Sequence, residues 1–215
     1  MLKVASFEGG YDRNFSYLIW CSETGTAAIV DTATSPEPIE QSVREQGQNL
    51  MFILLTHTHG DHLAYLEEWI KRYPRLEVVG HQRPVRKDLP AYRGVPEGTD
   101  FELGHCRLSL IETPGHYPDC VCWYSREGRL LFTGDTVFVG RTGRTLSSMS
   151  STRELYHSVY GRILILPPET TIYPGHDYGP TPTITIGELK KGSAFFRCAD
   201  EREFAEVMAQ FEMNR

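Results

Sequence analysis

Apolar and polar positions alternate in short runs along this chain, and most runs stop at Gly, Pro or a polar cluster. Runs at 2–7, 15–21, 27–31 and 50–55 predict strands, with helical spacing over 37–46 placed before the fourth. Leu63, Leu66, Trp69 and Ile70 recur at helical spacing and predict a helix over 62–73 whose apolar stripe faces a core. A short strand at 77–79 precedes a mixed, Pro-containing stretch, 84–98, that reads as a loop or short helix over one flank. Strands are predicted again near 106–112, 121–125 and 129–132, followed by a Gly-rich loop. Leu155, Val159 and Ile163 mark a helix over 152–164, and residues 171–173 form the last predicted strand. Phe204, Val207, Met208 and Phe211 then predict a terminal helix at about 200–213 that packs back in a structural role. Two similar halves, each strands then helix, predict an α/β fold of the αββα sandwich type: two central mixed sheets face to face, with helices on the outer faces.

Composition narrows the class. The 215 residues suffice for one substantial core, so a single domain over 1–215 is expected. Hydrophobic residues make up 40% and charged residues 23%, the balance of an ordinary globular protein. No apolar run approaches the roughly 20 residues of a membrane span, and Met1–Glu8 lacks a secretory pattern, so a cytoplasmic protein without a membrane partner is expected. The cysteines at 21, 106, 120, 122 and 198 are odd in number and carry no zinc-ribbon spacing, which predicts reduced, mostly buried thiols. A net charge of −6 disfavours a nucleic-acid partner and leaves a small-molecule substrate. Oligomeric state stays open, a homodimer being compatible with everything in the sequence.

The chemistry concentrates at Thr56-His57-Thr58-His59-Gly60-Asp61-His62, directly after the apolar run 51–55. In an extended segment residues two apart point the same way, so His57 and His59 can converge on one ion. Gly60 permits a sharp turn, after which Asp61 and His62 project away from that pair, toward a second ion a few ångströms off. Neutral imidazoles with a carboxylate suit zinc, manganese or iron alike. The helix predicted to begin at His62 would bring its N-terminal dipole end close to this site. A turn that is His-rich by chance is the competing reading, and the rest of the chain argues against it.

Three later positions repeat one pattern, an apolar strand, then Gly, then a ligand-competent residue. His116 follows Pro114-Gly115, Asp135 follows Gly134, and His176 follows Pro174-Gly175. Each taken alone is an ordinary polar residue in a turn. Together they place functional groups at strand ends on loops held by a rigid scaffold.

In this order, His57-x-His59-x-Asp61-His62, His116, Asp135 and His176 resemble the metallo-β-lactamase superfamily, and more narrowly its glyoxalase II and persulfide dioxygenase branch. The resemblance spans nearly the whole chain, including the residues flanking Asp135 and His176. It implies the αββα fold, one metal held by His57, His59 and His116, a second held by Asp61, His62 and His176, and Asp135 bridging the two. The implied cofactors are two divalent ions, zinc first, with iron or manganese as alternatives. It further implies that Arg141 and Arg144, in the loop after Asp135, meet the carboxylates of a glutathione thioester or persulfide. A solvated loop with two ordinary arginines is the plainer alternative there, and Tyr178 either faces the pocket or caps its loop.

Paired metals lower the pKa of a shared water and polarise a carbonyl, so an ester or thioester can be hydrolysed without a protein nucleophile. In that scheme a metal-bridging hydroxide attacks, and Asp61 and Asp135 are the catalytic carboxylates. No Gly-x-Ser-x-Gly elbow competes. The expected activity is thus metal-dependent hydrolysis of a small, glutathione-linked ester or thioester. The alternative is a mononuclear iron persulfide dioxygenase acting on glutathione persulfide through His57, His116 and Asp135. The chain departs from the dioxygenase pattern at Leu146 and Tyr117, and from long glyoxalase II in having fewer than 40 residues after His176. Segments 155–160 and 183–188 are closer to the dioxygenase branch.

Overall fold

Alternation along the strands divides the side chains between an inner and an outer layer. In the computed structural model, which describes residues 1–213, β1 (Leu2–Gly9) pairs antiparallel with β2 (Asn14–Cys21), from Leu2 opposite Cys21 to Gly9 opposite Asn14. Tyr17 and Ile19 of β2 point into the space between two sheets, whereas Leu18 points to the outside. The same period of two places Ala28 and Val30 of β3 (Thr26–Val30) inward and Ala27 and Ile29 outward.

The first sheet runs β1-β2-β3-β4-β5-β6, where β4 is Asn49–Leu54, β5 Glu77–His81 and β6 Tyr92–Val95. From β3 onward its strands are parallel. Its outer face is covered by α1 (Pro36–Glu45), through Ile39 and Val43, and by α2 (Leu66–Arg72), through Leu66 and Trp69. Pro36 suits the first turn of α1, where a missing N–H leaves no helical bond unmade.

The second sheet has the order β14-β13-β10-β9-β8-β7. These strands are β7 (Asp100–Leu103), β8 (Cys106–Glu112), β9 (Val121–Ser125), β10 (Leu130–Gly134), β13 (Thr171–Pro174) and β14 (Ile184–Thr185). Leu108, Leu110, Val121, Trp123 and Phe132 pack against the first sheet. Cys122, Tyr124, Leu131 and Ile172 face the other way, onto α3 (Thr152–Ser158), α4 (Ile186–Gly192) and α5 (Glu201–Met213). α3 runs on as a π-helical turn, Val159–Ile163. A two-stranded ribbon of β11 (Val137–Phe138) and β12 (Arg141–Thr142) stands off the end of β10. The architecture is the αββα sandwich expected, with three apolar layers. All five cysteines are free and buried, and among the described residues no helix is long and apolar enough to cross a membrane.

Three local expectations change. The helix read over 62–73 begins only at Leu66, because the His62 carbonyl that would accept from the Leu66 N–H is engaged by Thr32. The Thr32 N–H and hydroxyl donate to it at 2.9 and 3.2 Å, and the Tyr65 N–H returns to the Thr32 carbonyl at 2.9 Å. Consequently no helix terminus lies inside the His/Asp motif. The 84–98 stretch contains a real strand, β6, whose polar Arg93-Gly94 centre hid it. Finally, β13 is not the last strand: β14 and α4 follow, the latter opened by a capping box of Thr185 and Glu188.

Fully buried Trp123 couples the sheets, its Nε1–H donating to the Leu55 carbonyl at 3.0 Å, one residue before the motif. Trp123→Ala is expected to cost about 3–5 kcal/mol of folding stability through lost packing. Trp123→Phe is expected to cost about 1–3 kcal/mol, the penalty of leaving a buried carbonyl unpaired. Urea titration of both variants tests this, and a milder effect for Ala than for Phe would contradict it.

Candidate metal centre

Five strand ends converge at one rim. β3 ends at Asp31, whose φ of 55° lies in the left-handed region that Asp tolerates better than most residues. Its buried carboxylate accepts the Thr56 N–H at 2.8 Å, the Thr56 hydroxyl at 2.7 Å and Nδ1–H of His62 at 2.8 Å. The segment after β4 is therefore fixed at Thr56, and again at His62, by one residue of the neighbouring strand.

His57, His59 and His116 meet on one side. His59 Nδ1 is 3.0 Å from His57 Nε2 and 3.0 Å from His116 Nε2. Two nitrogens bound to one zinc at 2.0–2.1 Å stand about 3.3 Å apart in tetrahedral geometry, so this spacing suits a common ion. His116 Nδ1 faces the Arg144 carbonyl at 2.8 Å, which leaves Nε2 as the free lone pair. On the other side Asp61 Oδ2 lies 3.4 Å from His176 Nε2 and 3.7 Å from His62 Nε2. His176 Nδ1 is turned onto the Asp12 carbonyl at 2.8 Å, and the Asn14 amide donates to Asp61 at 2.9 Å.

Asp135 stands between the two groups. Its Oδ1 is 3.1 Å from His62 Nε2, and its Oδ2 is 3.4 Å from His176 Nε2 and 3.6 Å from His116 Nε2. All seven sequence-predicted ligands are thus brought together, in the groupings His57-His59-His116, His57-His62-Asp135 and Asp61-His62-His176. Two glycines make the approach possible. A Cβ on Gly175 would fall 2.3 Å from Asp135 Oδ1 and 2.7 Å from His62 Cε1, and a Cβ on Gly134 would fall 2.4 Å from Thr56 Oγ1. The recurrent glycine before each ligand is therefore a packing requirement at these two positions.

The electrostatics divide the same way. Burial, reinforced by neighbouring imidazoles, keeps the pKa values of His57 and His59 below the ordinary range. Burial also opposes charge on His62, but Asp135 and Asp31 outweigh it and hold its pKa well above the ordinary value. His176, opposed by burial but facing Asp135 and Asp61, is raised to about 10. Asp135, in spite of burial, is held well below the carboxylate range by His62 and His176. Protonated imidazoles thus balance the carboxylates where a cation would otherwise do so. Even so, His62 Nε2 and Asp135 Oδ1 are buried, face each other, and have no well-directed hydrogen bond. Two buried donor atoms that face each other without a well-directed hydrogen bond, among nitrogens and carboxylate oxygens, fit divalent-metal ligation.

Beside the centre opens a cavity of about 280 Å³ that His116 and Asp135 line, and Phe138, Arg141, Arg144, Tyr178 and Phe211 form most of its wall. The Arg141 guanidinium lies 3.8 Å from the centroid of Tyr178, and Tyr178 in turn stacks on His176 at 4.8 Å with the rings 3° from parallel. Arg141 Nε is buried without a partner. Tyr178 both lines the cavity and donates its hydroxyl to Asp12. The terminal helix, read as structural, is also part of this wall: Phe211 lies 5.3 Å from each of the Arg141 and Arg144 guanidinium carbons. Glu212 accepts hydrogen bonds from the Thr145 N–H and hydroxyl, tying α5 to the arginine loop. Asp12, Asn14, Asp31 and Phe211 escaped sequence reasoning. Only Asp31 left a signal there, as an acid closing an apolar strand.

The profile of the metallo-beta-lactamase superfamily matches residues 9–176, and the chain belongs to that superfamily. Within it the relatives divide between two activities. A probable hydroxyacylglutathione hydrolase of Schizosaccharomyces pombe is 31% identical over 176 residues, 79% of this chain and 66% of that protein. The mitochondrial persulfide dioxygenase ETHE1 of Homo sapiens is 28% identical over 201 residues, 93% of this chain and 77% of that protein. The crystal structure of ETHE1 from Myxococcus xanthus superposes with a TM-score of 0.88 at 27% identity, covering 99% of this chain and 92% of that one. The chain spans just under two thirds of the yeast hydrolase.

Metal binding requires neutral imidazoles, so uptake by the metal-free protein must displace the protons of His62 and His176. Because the His176 pKa is raised to about 10, metal affinity is expected to climb as pH rises from about 6 to 9, with protons released on binding. Calorimetry in buffers of different ionisation enthalpy measures the release. A pH-independent affinity with no proton release would contradict the charge assignment.

Proposed function

We propose that this chain is a binuclear metal-dependent hydrolase of a small ester or thioester whose leaving thiol belongs to an anionic carrier of the glutathione type. The observation that carries the reading is the second donor group. Asp61, His62 and His176 are preassembled, and His62 Nε2 and Asp135 Oδ1 are buried without a well-directed hydrogen bond. His57, His59 and His116 would hold one ion, Asp61, His62 and His176 the other, with Asp135 between them. Bound there, divalent ions supply an activated water and a Lewis acid for the carbonyl.

The chain's own residues then have separate tasks. Asp61 is held by the Asn14 amide and has its pKa lowered, against burial, chiefly by its hydrogen bond to His176. Held there, its carboxylate would orient a water molecule beside the ions. Arg141, with an unused Nε–H on an aromatic floor, and Arg144 at the rim receive carboxylates of the carrier. Phe138, Tyr178 and Phe211 exclude water from its apolar part. The yeast relative, a probable hydroxyacylglutathione hydrolase, agrees with these tasks.

A second reading has its own support, since the human persulfide dioxygenase aligns with more of this chain than the yeast hydrolase does. It predicts one iron per chain and oxygen uptake with glutathione persulfide. Protein purified without chelator is expected instead to carry close to two divalent ions, zinc first, and to hydrolyse S-lactoylglutathione without consuming oxygen. Elemental analysis beside an oxygen electrode and a thioester assay separates the two.

Asp135→Ala is expected to lose metal and turnover together while circular dichroism stays native, and retained turnover would refute the bridging role. Arg141→Ala is expected to raise KM about tenfold or more with kcat within about twofold, the loss of a charge-assisted contact made equally in ground and transition states. An unchanged KM would return Arg141 to an ordinary loop residue.

A further inference from the structure

Within the motif Thr56-His57-Thr58-His59, each threonine is held in the same way by a different buried carboxylate. Asp31, at the end of a strand of the first sheet, accepts the N–H and the hydroxyl of Thr56. Asp119, two residues before β9 of the second sheet, accepts the N–H of Thr58 on Oδ1 at 3.3 Å and the hydroxyl of Thr58 on Oδ2. Asp119 is 1% exposed and Thr58 8% exposed, so both contacts are shielded from water. In extended chain the Thr58 side chain points away from its neighbours, which is why it can be gripped without crowding His57 or His59.

The second clamp reaches further. Asp119 Oδ2 also accepts the Val85 N–H at 2.7 Å, and Thr58 Oγ1 accepts the Arg86 N–H at 3.3 Å. The backbone at Val85 and Arg86 is thereby pinned to the same two side chains. Nothing in the charge pattern of the sequence marks Asp119, and its carboxylate touches none of the seven metal-competent residues.

We infer that Asp119 is a positioning residue for the first donor group: acting through Thr58, it sets the spacing of His57 Nε2 and His59 Nδ1 and docks the 84–86 segment against the motif. This inference rests on the metal-centre reading above. A buried carboxylate that aligns ligands indirectly typically changes metal affinity by about 10- to 100-fold when lost.

The test measures zinc affinity by competition with a chromophoric chelator, and the visible absorption of the cobalt-loaded protein, for four proteins. These are wild type, Asp119→Asn, Thr58→Val and Thr58→Ser. Asp119→Asn presents an amide to at least one N–H it must accept, and is expected to weaken one of the two sites about 10- to 100-fold and to shift the cobalt bands. Thr58→Val removes the hydroxyl alone and is expected to do likewise, whereas Thr58→Ser keeps it and is expected to stay within about twofold of wild type. The two Thr58 variants decide the matter if Asp119→Asn fails to fold, because they leave the carboxylate in place. Urea midpoints taken alongside separate a general loss of stability from a change at the metal. Two ions in wild type with unaltered affinities and spectra in folded Thr58→Val overturn this inference alone. A wild type that takes up no metal overturns the metal-centre reading and this inference with it.

Discussion

Five imidazoles and two carboxylates crowded within a few ångströms would separate into water if their backbones were free to move. The structure depends on preventing that. Each group leaves the end of a strand whose other residues are locked in one of three apolar layers, so the positions are fixed before any side chain is considered. The final alignment is polar. Asp31 holds Thr56 and His62, the Asp12 carbonyl turns His176, and the Arg144 carbonyl turns His116. Each of these contacts faces an imidazole Nδ1 or a backbone N–H, and in His62, His176 and His116 it leaves Nε2 pointing into the centre.

The same crowding explains the charge pattern. Burial and neighbouring imidazoles lower the pKa values of His57 and His59, whereas Asp135, with Asp31 and Asp61, raises those of His62 and His176 against burial. Metal uptake would need little rearrangement of the scaffold, because the donor atoms of each grouping lie within 4.8 Å of one another.

Where chemistry meets recognition, the second sheet's helices matter most. α5 packs Phe204 and Met208 into the outer layer and, a turn further on, presents Phe211 to the arginine pair and Glu212 to Thr145. The Arg144 carbonyl that orients His116 belongs to that same loop. Through it a terminal element, far from the ligands in sequence, shares in the geometry of both the cavity and the centre.

Period-two runs are enough to identify most strands, and the spacing of His57, His59, Asp61 and His62 and the Gly-then-polar pattern at 116, 135 and 176 are enough to name seven side chains that the fold brings together. Those features are local, and local spacing is what a linear sequence records. α2 starts later than its apolar spacing predicts because Thr32, thirty positions away, takes the His62 carbonyl. β6 was hidden by polar residues, and only pairing with β5 makes it a strand. Asp12, Asn14, Asp31, Asp119 and Phe211 act through hydrogen bonds or ring contacts across long separations, which leave no periodic trace. Residue types and their order thus determined the layers and which groups could bind metal. Tertiary packing alone decided which carbonyl, hydroxyl or carboxylate aims each of them, because that choice depends on strands meeting at one rim.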